Sequence, residues 1–318
     1  MRFNTRGLLL VVPLLLNNCR DDQQSVLSGS FQSMGTTIYV RPEIALDVVQ
    51  EIFERVDWEM SEWKESSLLT SVNDSAGMSA VRCSDDLFDA IQLSVELATL
   101  TDGAFDPTWA SLWDIWDFNS PRLPSEQEIK SRLLNVNWKL VELDKTNNSV
   151  YLHRKGMTLG LGGIAKGIAL NQAREALKGT SIVNYMITAG GQVLAQGSSR
   201  RVGIRKPDGL PLEFIAIVEL KNASISTSGD YENYFEVDGI RYHHIIDPRT
   251  GYPARGTKSV TVVAEDAALA DALSTGLFVM GPVKAIELVN TLQGVEAFII
   301  DRQGNQYFSE RMQELIVQ

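Results

Sequence analysis

The chain has 318 residues, 44% of them apolar, enough for a packed core and incompatible with global disorder. Its formal charge of −11 excludes a surface that tracks nucleic-acid phosphates, so an anionic ligand would need backbone N–H groups, a cation or single basic residues. The two cysteines, Cys19 and Cys83, are too few for a disulfide framework or a structural zinc site.

Residues 1–18 have the build of an export signal: Arg2 and Arg6, the apolar run Gly7 to Leu16, then polar residues. The run is shorter than the roughly 20 residues a bilayer-spanning helix needs. A cysteine directly after it predicts lipidation of Cys19, although Leu16, Asn17 and Asn18 depart from the small residues such processing prefers. A signal followed by an ordinary cysteine is the alternative. Residues 19–30 read as a polar tether and 31–318 as one folded domain.

Phe31 to Arg41 alternates as a strand, with Ser33-Met34-Gly35-Thr36-Thr37 at its start. Glu43 to Trp63 is predicted as an amphipathic helix, its stripe formed by Val48, Val49, Ile52, Phe53, Val56, Met60 and Trp63. A second helix spans Asp85 to Leu100, and Cys83 before it reads as an inert, partly buried thiol. Asp102-Gly103-Ala104-Phe105-Asp106-Pro107-Thr108 is a turn with exposed backbone groups. Trp109 to Pro124 has three tryptophans and no period, which fits a lid or a packed loop equally. Ser125 and Glu128 form a capping box for a short helix, and two strands follow near Leu140–Leu143 and Val150–Arg154.

Leu159-Gly160-Leu161-Gly162-Gly163-Ile164-Ala165-Lys166-Gly167 opens a helix ending near Lys178. Such a turn lets backbone N–H groups and the helix dipole approach phosphate oxygens. It matches neither a Walker loop nor a dinucleotide fingerprint. Strands follow at Val183–Ala189 and Phe214–Leu220, with Arg205 between them either at a phosphate or solvated. Ser226 to Tyr231 reads as a hydroxyl-rich turn able to meet a phosphate or ribose. A hairpin then turns at Asp238-Gly239 and returns from Ile240 to Ile246. His244 stands near its end, before the rigid loop Asp247 to Gly251; His243 points to the opposite face in a structural role. Ser259–Ala264 is a strand and Ala267–Met280 a helix, on which Asp271 and Thr275 share one face. That pair is either a solvated face or two hard oxygen ligands of the kind Mg²⁺ takes. A helix from Val283 and a strand near Ala297–Ile300 complete the chain.

Several of these segments together resemble the FAD:protein FMN transferases, the ApbE family: Met34-Gly35-Thr36, Met60-Ser61-Glu62-Trp63, Asp102 to Thr108, Leu161 to Gly167, Ser226 to Pro253 and Asp271 to Thr275. The resemblance implies an α+β fold, ApbE-like and T-fold-like, with mainly antiparallel sheets flanked by helices in one catalytic domain. It implies transfer of FMN from FAD to a Thr or Ser hydroxyl of an acceptor protein, with release of AMP and dependence on Mg²⁺, Mn²⁺ being possible. Gly163, Asp271 and Thr275 would hold the metal, and His244 would be the base. Met34, Trp63, Ala104, Phe105, Asp106, Gly160, Lys166 and Ile245 would contact FAD. Gln192 and Asn171 stand where the family has acids, which leaves the polar contacts of the helix carrying Asn171 open. Implied acceptors are subunits of bacterial respiratory complexes, of the sodium-pumping NADH:quinone reductase or Rnf type, on the periplasmic side of the inner membrane. FAD hydrolysis to FMN and AMP, or FAD binding by an exported lipoprotein without turnover, are the alternatives.

Overall fold

The computed structural model describes residues 27–118, 121–210 and 212–318; the segment expected to be an export signal, Cys19 and most of the expected tether lie outside them. The chain enters as a hairpin, β1 (Gly29–Ser33) and β2 (Thr36–Arg41), turned at Met34 and Gly35. Helices α1 (Leu46–Met60) and α2 (Leu68–Asp74) follow, then β3 (Val81–Arg82) and α3 (Asp85–Leu100). After α4 (Glu126–Leu133) come β4 (Val141–Asp144) and β5 (Ser149–Leu152), which form a small sheet with β3. Helix α5 (Ala165–Leu177) leads to β6 (Tyr185–Ala189) and β7 (Gln192–Gln196). The pair β8 (Arg200–Arg205) and β9 (Phe214–Leu220) stands apart before β10 (Ala223–Gly229). The hairpin β11 (Tyr234–Val237) and β12 (Ile240–His243) precedes β13 (Thr257–Ala264), α6 (Ala267–Met280) and α7 (Pro282–Val289). Strands β14 (Val295–Asp301) and β15 (Gln306–Phe308) and the short α8 (Met312–Leu315) end the chain.

Eight strands form one sheet in the order β1-β2-β6-β7-β10-β13-β14-β15, each pairing antiparallel to its neighbour. The α+β class with antiparallel sheets flanked by helices, expected from sequence, is therefore the one adopted. Alternation along each strand divides two cores. Leu194, Val260, Val262, Ala297 and Ile299 face α1, α5 and α6, meeting Phe53, Leu170 and Leu273. Val193, Ala195, Val263, Phe298 and Ile300 face the other way and pack on Ile204, Val218 and Met312. On the helix side, β10 breaks the aliphatic pattern: Ser224 and Ser226 there are buried, and Ser228 follows at the next same-face position. A strand inside the sheet thus offers hydroxyls where its neighbours offer aliphatic carbon.

The structure departs from the sequence reading at several points. Ser226 to Gly229 is strand, not turn, because β13 pairs along all of it and β7 pairs on the other edge as far as Ser226. Helix α1 stops at Met60, where Ser61 takes an extended backbone, so Trp63 leaves the stripe and is exposed; Val48 also faces solvent. The returning hairpin strand stops at His243, and Ile246 makes only an isolated bridge to Pro253. The tryptophan-rich segment is a packed one: a 3-10 helix over Pro107–Ile115 leads to Trp116, which is fully buried and donates through Nε1 to the Gly251 carbonyl at 2.8 Å. The capping box at Ser125 and Glu128 forms in both directions. Arg205 is half-buried: its guanidinium lies over the Tyr231 ring at 4.9 Å, with Nε buried and unpartnered.

Candidate active site

Close approach of α5 to α6 builds the site. A Cβ on Gly167 would lie 2.5 Å from the Ala268 Cα and nearer still to the Ala267 carbonyl oxygen, so only glycine lets the first turn of α5 meet that of α6. Asn171 ties the same junction. Its side-chain oxygen accepts from the Ala267 N–H at 2.9 Å and from Arg174 at 3.0 Å, while its NH₂ donates to Asp266 at 2.8 Å. A carboxylate could accept at this position but not donate, so the amide suits its three partners.

At this junction Gly167 N–H donates to Asp271 Oδ2 at 3.2 Å, placing the carboxylate on the positive end of α5. Asp271 is only 6% exposed, and its Oδ1 lies 3.5 Å from Ser226 Oγ. Ser228 Oγ is 2.7 Å from Ser274 Oγ and 3.4 Å from Thr275 Oγ1. A Cβ on Gly163 would lie 3.6 Å from Thr275 Oγ1 and 3.4 Å from the Phe105 ring. Burial raises the Asp271 pKa; the Lys166 ammonium, the Gly167 N–H and Ser226 pull it back. Among the described residues no group of three or more His, Cys, Asp or Glu is placed to hold a metal ion. The donor set is one buried carboxylate, several alcohols and the nearby Gly163 backbone. Hard oxygen donors with a single carboxylate fit Mg²⁺ or Mn²⁺, which keep waters and substrate phosphates as their remaining ligands.

His244 opens on this side while His243 turns inward. The His244 N–H donates to the Asn233 carbonyl at 2.9 Å, and Nδ1 lies 3.3 Å from the same oxygen. That contact requires the proton on Nδ1 and leaves the Nε2 lone pair free. Burial, opposed by the Asn233 carbonyl contact and aided by the Lys166 charge, lowers the His244 pKa to about 4, so the ring is neutral at pH 7. His243 is satisfied at both nitrogens: Nε2 donates to the Ala254 carbonyl at 2.8 Å and Nδ1 accepts from Ile245 N–H at 3.3 Å. His153 lies away on β5's end, exposed beside Glu142.

Of the predicted site residues, Gly163, Lys166, Asp271, Thr275 and Phe105 come together at this junction, with His244 within the field of Lys166. Ala104, Phe105 and Asp106 are buried rather than exposed. The Asp106 carboxylate is occupied by Thr108 N–H, Thr108 Oγ1 and Trp138 N–H, at 2.8, 2.6 and 3.2 Å. Ile245 is likewise buried in the core. Gly160 packs under Trp109, and Trp63 meets Trp113 edge-on at 4.8 Å, which in turn meets Trp109 at 5.2 Å. Met34 sits in the β1–β2 turn, whose Thr36 abuts Gly190, at the β6–β7 end of the sheet.

Sequence reasoning missed Glu62, Ser226 and Ser228 as a strand face, and Ser274. Serine at every second position from 224 to 228 is a period-2 signal that would have identified the strand. Nothing in the local sequence marks Glu62. In the glycine loop, part of the N–H set read as open to phosphate faces the chain's own acids. Glu62 faces those of Leu161 and Gly162, and Asp271 takes that of Gly167.

The chain as a whole is similar to known proteins. The model of the ApbE family matches residues 34–299. A Haemophilus influenzae protein named FAD:protein FMN transferase is 29% identical over 335 residues, covering 96% of this chain and 94% of its own. The Escherichia coli K12 protein of the same name is 31% identical over 271 residues, covering 81% and 77%. The crystal structure of the ApbE protein from Thermotoga maritima superposes with a TM-score of 0.84 at 34% identity, covering 92% of this chain and 99% of that one. With the family model spanning most of its length and the fold shared, the chain belongs to the ApbE family.

Proposed function

We propose that the protein is an FAD:protein FMN transferase that moves FMN from FAD to a Thr or Ser hydroxyl of an acceptor protein and releases AMP. The observation that carries this reading is the buried Asp271 carboxylate, next to Ser226 and a chain of hydroxyls through Ser274 and Ser228 to Thr275, with a neutral histidine within the field of the same Lys166. Family membership sets the substrate class: the relatives described above carry that name.

Asp271, Thr275 and the Gly163 carbonyl would hold Mg²⁺ or Mn²⁺. The bound ion would supply charge neutralisation on the FAD pyrophosphate. The acceptor oxygen attacks the FMN phosphorus, and the bond from that phosphorus to the oxygen of the AMP phosphate breaks. The hydroxyl proton passes to His244 Nε2, which the Nδ1 contact to Asn233 keeps oriented with the neutral ring's own proton on the other nitrogen. Lys166 adds positive charge beside the same centre. Catalysis of this kind is mostly positioning and electrostatics, which a rigid junction of two helices and a strand provides.

Acceptor subunits of respiratory complexes, of the sodium-pumping NADH:quinone reductase or Rnf type, are the proposed partners. Residues 1–19 support export, with anchoring through Cys19, to the periplasmic side of the inner membrane. Among the described residues no helix is long and apolar enough to cross a membrane.

The test is incubation with FAD, Mg²⁺ and a peptide carrying a candidate Thr, read by mass spectrometry. Addition of the mass of FMN to the peptide supports the proposal; free FMN with AMP, or unchanged FAD, refutes transfer. Asp271→Ala should abolish metal-dependent turnover. His244→Ala should bind FAD yet transfer at roughly one-hundredth of the rate or less.

A further inference from the structure

Glu62 has no place in the reaction above, yet it reaches the glycine loop from the segment that follows α1. The Gly162 peptide is held on both sides. Lys166 Nζ donates to its carbonyl at 3.0 Å, and the Glu62 carboxyl faces its N–H and that of Leu161. A methyl on Gly162 would come 3.0 Å from Glu62 Oε1, so carboxyl and loop are in direct contact. Burial raises the Glu62 pKa, and the loop N–H groups and the Lys166 ammonium pull it back. The next residue is Gly163, beside Thr275. A loop of glycines has no side chains to hold its own peptide planes, so an external grip decides which way its carbonyls point.

We propose that Glu62 is a positioning residue: by clamping the Gly162 peptide against Lys166, it holds the Gly163 carbonyl in place for the cation and closes the loop's N–H groups to free phosphate. The inference rests on the reading of Gly163, Asp271 and Thr275 as a divalent-cation site. Groups that orient a ligand without touching the metal commonly change metal affinity by about 10- to 100-fold when removed.

The test is Mn²⁺ binding to the full chain without FAD, followed by electron paramagnetic resonance of the free ion. Glu62→Ala should weaken binding about tenfold, whereas Glu62→Gln, which keeps an oxygen acceptor on the loop, should stay within about threefold. The Gln rescue separates orientation of the loop from a general loss of folding. Asp271→Asn should lose binding. If Asp271→Asn loses Mn²⁺ while Glu62→Ala binds it as the parent does, the role of Glu62 is overturned and the cation site stands. If Asp271→Asn binds normally, the cation site itself falls. Should Glu62→Ala fail to fold, Gly162→Ala pushes the carboxyl aside with Glu62 intact. A several-fold weaker Mn²⁺ affinity is then expected, and unchanged affinity would overturn the role of Glu62.

Discussion

Replacing Gly167 by Ala adds one methyl group at the place where α5 and α6 touch. Its Cβ would lie 2.5 Å from the Ala268 Cα and 2.6 Å from the Ala267 carbonyl carbon. Both are backbone atoms and cannot rotate away, so the helices must part by about 1 Å to restore ordinary van der Waals contact. Overpacking of this kind costs about 1–3 kcal/mol, and the gain in helix propensity from Gly to Ala returns at most about 1 kcal/mol. A net loss of about 1–2 kcal/mol is expected in urea unfolding. The same displacement would carry the Gly167 N–H, now 3.2 Å from Asp271 Oδ2, out of hydrogen-bonding range. Divalent-cation affinity should therefore fall along with stability. A variant as stable as the parent, or more so, would show that propensity alone operates and that the helices are not held this closely.

His243 predicts an acid limb of stability. Its ring accepts a backbone N–H at Nδ1, so protonation would set N–H against N–H, and burial lowers its pKa to about 3 from 6.5. Because the unfolded chain takes up the proton first, this contribution is intact above about pH 6.5 and is lost as pH falls toward 3, by at most roughly 5 kcal/mol. Urea midpoints measured from pH 7 to 4 should fall more steeply for the parent than for His243→Gln, and parallel curves would contradict the assignment. Cys83, whose thiol burial pushes up to about 11, should react slowly with a disulfide reagent at pH 8 in a Cys19→Ser background; rapid stoichiometric labelling would show an accessible thiolate instead.

Much of the architecture could be read from local pattern. The helices at Asp85–Leu100 and Ala267–Met280 and the strand at Phe214–Leu220 have the ends that periodicity and capping residues predict, because each is set by neighbours within a few positions. The same holds for the capping box at Ser125, a contact three residues long. Asp271 and Thr275 share a helix face by spacing alone.

Long-range packing accounts for the rest. Ser226 and Ser228 read locally as a turn and become strand because β13 pairs with both of them and β7 pairs with Ser226 on the other edge. Trp63 leaves the α1 stripe because the helix stops at Met60, and Glu62 reaches a glycine loop a hundred residues downstream. Which oxygen atoms gather around Asp271 depends on how closely α5 approaches α6, a distance set by the missing side chain of Gly167. Hydrogen-bond chemistry and apolar period are local properties of a chain. The partners that satisfy a buried carboxylate are chosen only when distant segments are brought into contact and water is excluded between them.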